Sequence, residues 1–312
     1  MSLAFVFPGQ GSQSVGMMSQ LATEFPHVQA TFAEASEVLG YDLWRLVADG
    51  PVESLNQTDR TQPAMLAAGI AVWRSWQSIT DIKPNFLAGH SLGEYTALVA
   101  AGAMAFSDAI KLVEQRGMFM QQAVPVGTGA MAAILGLDDD IVRAICSQAS
   151  VNGIVEAVNF NSPGQVVIAG ELEAVNVAIV LAKEQGAKRA LLLPVSVPSH
   201  CALMKPAAKQ LEHVLADITI QVPTIPVIHN VSVTSENNSE DIKRLLTEQL
   251  YSPVRWVETV QAFATQGADT LIECGPGKVL AGLTKRIDKS LVGLAVFDQT
   301  SLDKAVQTLG EV

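Results

Sequence analysis

The sequence has little charge, few aromatic residues and no long apolar run. Charged residues make up 16% and aromatic residues 5% of its 312 positions, while 49% are hydrophobic. The longest apolar stretches, 64–73 and 98–106, are about half of the roughly 20 residues that cross a bilayer, so no membrane association is expected. A basic segment ahead of an apolar stretch is missing at the N-terminus, so no export signal is predicted. This composition indicates a compact globular protein with a large core.

Cysteine and positive charge are scarce as well. The three cysteines, Cys146, Cys201 and Cys274, are widely spaced, which fits neither a disulfide framework nor a zinc site. We therefore expect a reducing, cytoplasmic compartment. The net charge is −11, from 20 basic and 31 acidic residues. A nucleic-acid partner is not expected, because phosphate backbones bind basic surfaces.

Short apolar runs alternate with helical patterns along most of the chain. Strands are predicted at 3–7 and 86–89, each followed by a helical segment. Past Pro125 the order changes to β-α-β-β-α-β, which is the ferredoxin-like order. We predict an α/β protein in which a hydrolase-like domain with a mostly parallel sheet carries an inserted ferredoxin-like subdomain. The catalytic domain would comprise residues 1–126 and 197–312, and the subdomain residues 127–196.

Three local signals set expected boundaries. Thr61-Gln62-Pro63 is typical of a helix start, because threonine can cap and proline is tolerated in the first turn. A second helix is expected to begin at Ser91 and to end near Gly102. The segment NFNSPGQ, residues 159–165, is expected to be a turn between two strands.

One serine lies between glycines where a predicted strand meets a predicted helix. Gly89-His90-Ser91-Leu92-Gly93 satisfies G-x-S-x-G, and small residues on both sides permit a tight turn that presents the serine hydroxyl outward. The N–H groups at the start of a helix would also favour a developing oxyanion. We interpret Ser91 as a nucleophile. The alternative is a serine that only caps the helix in a glycine turn.

A nucleophilic serine needs a base, and the chain has five histidines. They are His27, His90, His200, His213 and His229. His200 follows the strand-like segment ALLLPVSVPSH, in a loop where the insert rejoins the main domain, and such positions suit catalytic groups. His200 is the preferred candidate. The alternative is a surface or core histidine.

Two further features have open interpretations. Arg116 lies among apolar neighbours, so it either pairs with an acid such as Glu114 or binds a substrate anion. Met118 and Met120 are expected to fill the core. The segment FPGQGSQ resembles a dinucleotide-binding loop, but Ser14 replaces its third glycine. The second strand ending in an acidic residue, which such a site also requires, does not follow. We predict instead a loop whose N–H groups face Ser91.

The ordered motifs of the chain resemble those of acyltransferases of fatty-acid and polyketide synthesis. They are FVFPGQGSQ, TQPA, GHSLGEYTAL, QRGMFMQ, NFNSPGQVVIAG, SVPSH, QLYSPVRW and ECGPGKVL. Over essentially its whole length the sequence is similar to the bacterial malonyl-CoA:acyl carrier protein transacylases. The resemblance implies transfer of a malonyl group from malonyl-CoA, through an acyl-serine, to the phosphopantetheine thiol of acyl carrier protein in fatty-acid synthesis. It implies no permanently bound cofactor and no metal.

The resemblance also implies a role for individual residues. The implied roles are Ser91 as nucleophile, His200 as base, the backbone N–H groups of Gln10 and Leu92 as oxyanion hole, Arg116 as ligand of the malonyl carboxylate, the Gln249 carbonyl as the group orienting His200, and Asn159 and Asn161 as contacts of CoA or pantetheine. Ser199 stands where many malonyl-selective relatives have phenylalanine. That smaller residue leaves room beside the acyl α-carbon, which puts strict exclusion of methylmalonyl groups in doubt.

An acidic carrier protein would need a local basic surface on this acidic chain. Lys188 and Arg189 on the subdomain, with Lys205 and Lys209 after His200, are the candidates; the alternative is scattered, solvated side chains. Two other functions compete with acyl transfer. One is a serine hydrolase or thioesterase of the α/β class, and the other is a non-catalytic carrier-binding module.

Overall fold

The computed structural model describes residues 2–195 and 197–310. The strands in this part of the chain are β1 (Leu3–Phe7), β2 (Phe86–Gly89), β3 (Gly129–Leu135), β4 (Val155–Ser162), β5 (Gln165–Glu171), β6 (Arg189–Leu192), β7 (Val227–Ile228), β8 (Thr270–Cys274) and β9 (Val292–Val296). The helices are α1 (Ser19–Glu24), α2 (Pro26–Leu39), α3 (Leu43–Asp49), α4 (Val52–Leu55), α5 (Thr58–Ile79), α6 (Gly93–Ala100), α7 (Phe106–Ala123), α8 (Asp139–Ala149), α9 (Leu172–Glu184), α10 (Lys205–Ala216), α11 (Ser239–Glu248), α12 (Trp256–Thr265), α13 (Val279–Ile287) and α14 (Gln299–Gly310).

The strands form two separate sheets. The first is parallel, with the order β7-β2-β1-β8-β9. The second is antiparallel, with the order β4-β5-β3-β6. A parallel sheet among helices and a separate βαββαβ unit agree with the fold class predicted from the sequence.

The central strands of the parallel sheet are apolar because helices cover both of their faces. All five residues of β1 are buried, and Phe5 pairs with Leu87 on one side and Ile272 on the other. Helix α5 is buried along most of its length and brings Trp73 and Trp76 edge-on against Phe5. The chain leaves β1, β2 and β7 at the same edge of the sheet, because parallel strands share a direction. Loops at that edge are where α/β sheets bind ligands.

The antiparallel sheet has a core of its own, where α8 and α9 pack on one face. Its other face contributes Met131, Val158 and Val167, which cluster with Cys201 beside His200. Strand β4 also joins the first sheet's loops, because Val254 accepts from Phe160 N–H at 3.0 Å and donates to the Val158 carbonyl at 2.8 Å. These bonds hold the second sheet over the carboxyl edge of the first.

Several boundaries expected from the sequence are wrong. Helix α5 begins at Thr58, and Pro63 lies inside it. Burial of the whole segment outweighs the one backbone hydrogen bond that proline removes. Helix α6 begins at Gly93, because Ser91 has a left-handed backbone with φ of 53°. Residues 159–162 extend β4, so the turn is shorter than NFNSPGQ.

The C-terminal part contains elements that the sequence reasoning missed. Helix α12 precedes β8, and β9 with α14 follows α13. Strand β9 has the apolar sequence VGLAV, but it is only partly buried along most of its length. No helix among residues 2–195 and 197–310 is long and apolar enough to cross a membrane.

We expect Gly89→Ala to lower the free energy of unfolding by roughly 3 kcal/mol or more, because overpacking against rigid backbone cannot relax. A Cβ on Gly89 would lie 1.7 Å from the carbonyl carbon of Gly93. The control is Gly282→Ala, at an exposed helical position where a Cβ meets open space. That change should stabilise by about 0.5–1 kcal/mol. Equal midpoints of denaturant unfolding for the two variants would contradict this account.

Candidate active site

The turn after β2 forces the Ser91 side chain out of the helix that follows. Ser91 has φ of 53°, a left-handed conformation that is rare for residues other than glycine. Its N–H donates to Asn230 Oδ1 at 2.7 Å, and Asn230 Nδ2 donates to the Gly89 carbonyl at 2.7 Å. Neighbouring Gly93 is required, because a Cβ there would lie 2.0 Å from the Phe7 carbonyl oxygen. Strained backbone of this kind persists only where its surroundings fix it.

The structure brings Ser91 and His200 together. Ser91 Oγ lies 2.8 Å from His200 Nε2, and His200 Nδ1 lies 2.8 Å from the Gln249 carbonyl oxygen. A carbonyl only accepts, so Nδ1 carries the proton and Nε2 is free to accept from the serine hydroxyl. His200 also has a left-handed backbone, with φ of 67°, and its N–H donates to the Leu250 carbonyl. The pair therefore has the geometry of a nucleophile and its base.

His200 is held in the neutral form. Burial above all, together with the positive charge of Arg116, lowers its pKa to about 3, although the Gln249 carbonyl opposes both effects. Only 2% of the residue is exposed. Its imidazole is therefore a proton acceptor throughout the physiological pH range.

Arg116 projects from α7 into the same pocket. It is 1% exposed, and its guanidinium donates to Gln62 Oε1 at 2.9 Å, to Gln249 Oε1 at 3.0 Å and to Ser91 Oγ at 3.3 Å. The sequence left open a pairing with Glu114, but that carboxylate pairs with Arg60 instead. A buried cation beside the serine hydroxyl is positioned to bind a carboxylate attached to the serine.

Four other residues were predicted to belong to the site: Gln10, Leu92, Asn159 and Asn161. Gln10 and Leu92 line the pocket with Ser91 and His200. Asn159 also lines it, and Asn159 Oδ1 is buried with no hydrogen-bond partner among the described residues. Asn161 accepts through Oδ1 from His90 Nε2 at 2.8 Å and so links β4 to the serine turn. The roles assigned to these four residues stay predictions.

Two further residues line the pocket. Ser199 lines the pocket beside His200, as does Met120, which is buried at 3% exposure. Met120 belongs to the main hydrophobic core, as expected, and it also lines the pocket. The sulfur of Met120 accepts from Gln62 Nε2 at 3.5 Å.

The candidate docking residues are on the surface. Arg189 begins β6, while Lys205 and Lys209 lie on the first half of α10, and all three are exposed. Lys188 lines a surface groove with Arg286, a residue that the sequence reasoning did not consider.

A buried carboxylate behind the serine was missed. Glu94, at 0% exposure, accepts from His229 Nδ1 at 2.7 Å and from the Asn230 N–H at 2.9 Å. Gln249 Nε2 donates to it at 3.0 Å. The only signal in the sequence was an acid three residues after Ser91 in a helix of apolar neighbours. This acid contacts His229, and His200 is oriented by a carbonyl instead.

The fold and the serine turn define an α/β protein with a hydrolase-like core, and comparison with known proteins defines its family. The acyl transferase domain family matches residues 4–302. This chain therefore belongs to the acyl transferase family, as the motifs predicted.

Individual relatives are similar over nearly the whole chain. The malonyl CoA-acyl carrier protein transacylase of Haemophilus influenzae is 58% identical over 98% of both chains. The protein of the same name from Escherichia coli K12 is 56% identical over 97% of this chain and 98% of its own.

Solved structures give the same result. An acyl carrier protein S-malonyltransferase from Vibrio cholerae is 62% identical, with a TM-score of 0.96 over 98% of this chain and 100% of its own. A malonyl-transacylase in complex with the holo type II polyketide acyl-carrier protein AntF is 57% identical, with a TM-score of 0.98 over 99% of this chain and 100% of its own. These matches confirm the predicted fold class.

We expect Ser91 to react with a fluorophosphonate at a constant rate between pH 8 and pH 5, because the imidazole of His200 stays neutral down to a pKa of about 3. An ordinary histidine would instead lose reactivity around pH 6.5. Below that pH the unfolded chain binds a proton that folded His200 refuses, so this residue makes the fold less stable as the pH falls. A rate that halves near pH 6.5 in folded protein would contradict the burial argument.

Proposed function

We propose that this chain transfers a malonyl group from malonyl-CoA to the phosphopantetheine thiol of acyl carrier protein. The observation that carries the proposal is the buried guanidinium of Arg116, 3.3 Å from Ser91 Oγ. A carboxylate on an acyl group bound to Ser91 would find a fixed positive charge there. The names of the close relatives point to the same substrate and partner.

In the first half-reaction Ser91 Oγ attacks the thioester carbonyl. The proton of Oγ passes to His200 Nε2, a bond forms between Oγ and the carbonyl carbon, and the π electrons move onto the carbonyl oxygen. As the oxyanion collapses, the bond from carbon to sulfur breaks and His200 returns the proton to the leaving thiolate of CoA. The product is a malonyl ester of Ser91.

The second half-reaction runs the same chemistry with a different thiol. His200 takes the proton from the carrier protein's thiol, sulfur attacks the ester carbonyl, and the bond from carbon to Ser91 Oγ breaks. His200 then returns the proton to Oγ, which regenerates the free enzyme. A covalent intermediate of this kind gives ping-pong kinetics.

The oxyanion of both steps would be bound by the backbone N–H groups of Gln10 and Leu92. Gln10 follows β1 and Leu92 directly follows Ser91, and both line the pocket. The close approach of Gly9, where a Cβ would lie 2.5 Å from the His90 carbonyl oxygen, supports this placement of the loop. Each such donor typically lowers the barrier by about 3 kcal/mol.

Acyl transfer fits the pocket better than hydrolysis. A serine hydrolase usually orients its histidine with a carboxylate, whereas His200 bonds the Gln249 carbonyl. A hydrolase of uncharged esters also has no use for the buried cation of Arg116. Side chains of the loop after β6, including Leu193, Val195 and Val197, line the pocket and would limit the access of water to the ester.

The remaining expectations become part of the proposal. The subdomain limits of 127–196 are supported by the bounds of its first and last strands. Strand β3 begins at Gly129, and strand β6 ends at Leu192. Cytoplasmic residence in fatty-acid synthesis is supported by the three cysteines, which are buried and free. Malonyl-CoA is a substrate here, and Asn159 and Asn161 are proposed to lie along its pantetheine arm.

We expect Arg116→Ala to reduce kcat/KM for malonyl-CoA by at least about 100-fold, because one partner of a buried charge pair is lost. Transfer from acetyl-CoA, which lacks the carboxylate, should fall far less. Both rates are measured with holo acyl carrier protein as acceptor. The control is Arg60→Ala, which removes a half-buried arginine paired with Glu114 outside the pocket. An unchanged ratio of malonyl to acetyl transfer would refute the proposed substrate.

We expect charge reversal of Lys188 and Arg189 to slow transfer to the carrier protein several-fold and to spare the acylation of Ser91 by malonyl-CoA. Both side chains would supply the local attraction that two acidic proteins need. The effect should shrink as salt increases, because surface charges are screened. Equal losses in both half-reactions would exclude this surface from docking.

A further inference from the structure

Arg116 is a buried cation whose hydrogen bonds all go to neutral groups in the described part of the chain. Its acceptors are the side-chain oxygens of Gln62, Gln249 and Ser91. Its Nε has no hydrogen-bond partner among the described residues, and its guanidinium lies 5.4 Å from the centre of the Tyr95 ring. Burial of an unpaired charge is costly, so a compensating anion is expected nearby.

Glu94 is that anion, but it does not touch the guanidinium. The side-chain amide of Gln249 lies between them: its Nε2 donates to Glu94 Oε2 at 3.0 Å, and its Oε1 accepts from Arg116 Nη2 at 3.0 Å. Gln249 Nε2 also donates to the Ser91 carbonyl at 3.0 Å, which fixes the direction of the amide. The side-chain amide of Gln249 therefore separates the carboxylate of Glu94 from the guanidinium of Arg116.

The other contacts of Glu94 keep it in place. His229 Nδ1 donates a hydrogen bond to Glu94 Oε1, and the Asn230 N–H donates one to Glu94 Oε2. None of the three residues is exposed. Burial lowers the pKa of Arg116, and the charge of Glu94 is one of the effects that oppose this. Glu94 thus stabilises the charged arginine without occupying its hydrogen-bonding face.

We propose that Glu94 is the distant counter-charge of Arg116, and that the amides of Gln62 and Gln249 keep the guanidinium free for the carboxylate of an anionic acyl group. This proposal rests on the proposed function. Glu94 stabilises the empty pocket and repels the incoming carboxylate, so it limits how tightly malonyl groups bind. Direct pairing of Arg116 would remove the selectivity for anionic acyl groups.

Glu94→Gln isolates the charge, because the hydrogen bonds can persist. The new amide oxygen can accept from the Asn230 N–H and Gln249 Nε2, while the new amide nitrogen donates to His229 Nδ1. That last bond requires His229 to carry its proton on Nε2. His229 Nε2 has no hydrogen-bond partner among the described residues, so moving the proton there breaks no existing hydrogen bond.

The test is made in a Ser91→Ala background, where binding is measured without acyl transfer. Dissociation constants for malonyl-CoA and acetyl-CoA are obtained by calorimetry, and thermal unfolding checks that each variant is folded. We expect Glu94→Gln to tighten malonyl-CoA binding roughly 3- to 10-fold, which is the Coulomb effect of one charge at this separation. Acetyl-CoA binding should not change, because its acyl group is neutral.

Gln62→Glu gives the opposite expectation and does not depend on the folding of the first variant. It places a carboxylate directly on Arg116 Nη1, where Gln62 Oε1 now lies at 2.9 Å. The bond lost is only the 3.5 Å contact of Gln62 Nε2 with the Met120 sulfur. Malonyl-CoA binding should weaken at least about tenfold, because the guanidinium is already paired. Acetyl-CoA binding should again stay constant.

The outcomes separate this inference from the function on which it rests. If the Ser91→Ala protein binds malonyl-CoA no more tightly than acetyl-CoA, Arg116 is not a carboxylate site and the proposed function fails together with the inference. If that preference is present but neither variant shifts it, only the inference fails. Parallel changes for both ligands would show a structural role for Glu94 and would overturn the inference as well. Tighter malonyl-CoA binding by Glu94→Gln and weaker binding by Gln62→Glu, with acetyl-CoA binding unchanged in both, would support the inference.

Discussion

The left-handed backbone of Ser91 is the constraint on which the rest of the site depends. It turns the chain between β2 and α6, so the hydroxyl leaves the sheet toward His200 while the backbone N–H faces Asn230. Gly89 and Gly93 make this possible, since a Cβ at either position would penetrate neighbouring backbone. Asn230 ties both Gly89 and Ser91 to the end of β7. A turn held on both sides in this way keeps its strain and gives the Ser91 hydroxyl one position.

Gln249 connects the three chemical parts of the pocket. Its backbone carbonyl fixes the tautomer of His200, its side-chain oxygen contacts Arg116, and its side-chain nitrogen contacts Glu94 and the Ser91 carbonyl. A neutral carbonyl behind the imidazole adds no negative charge to the pocket. The orientation of His200 therefore adds no further repulsion of an anionic acyl group to that of the more distant Glu94.

Local sequence patterns predicted what depends on local physics, and they failed where distant residues decide. The short runs LAFVF and FLAG predicted β1 and β2 with their observed bounds, because strands of a parallel sheet covered on both faces are apolar throughout. The motif G-x-S-x-G located the serine turn, because small residues on both sides of the serine permit a tight turn. Pro63 misled the helix prediction, since tertiary burial outweighed a local signal. No spacing pattern could connect Glu94 with His229 and Asn230, which lie 135 and 136 residues away and meet only because β7 pairs with β2.

The account makes one central claim: Ser91 Oγ, with His200 as base, carries a malonyl group as an ester between two thiols. Intact-protein mass spectrometry after brief mixing with malonyl-CoA tests it most directly. The account predicts one malonyl adduct per chain, located on the Ser91 peptide, absent from Ser91→Ala and lost when holo acyl carrier protein is added, with the malonyl group recovered on the carrier. Malonyl transfer to the carrier by Ser91→Ala protein, or an adduct on another residue, would contradict it.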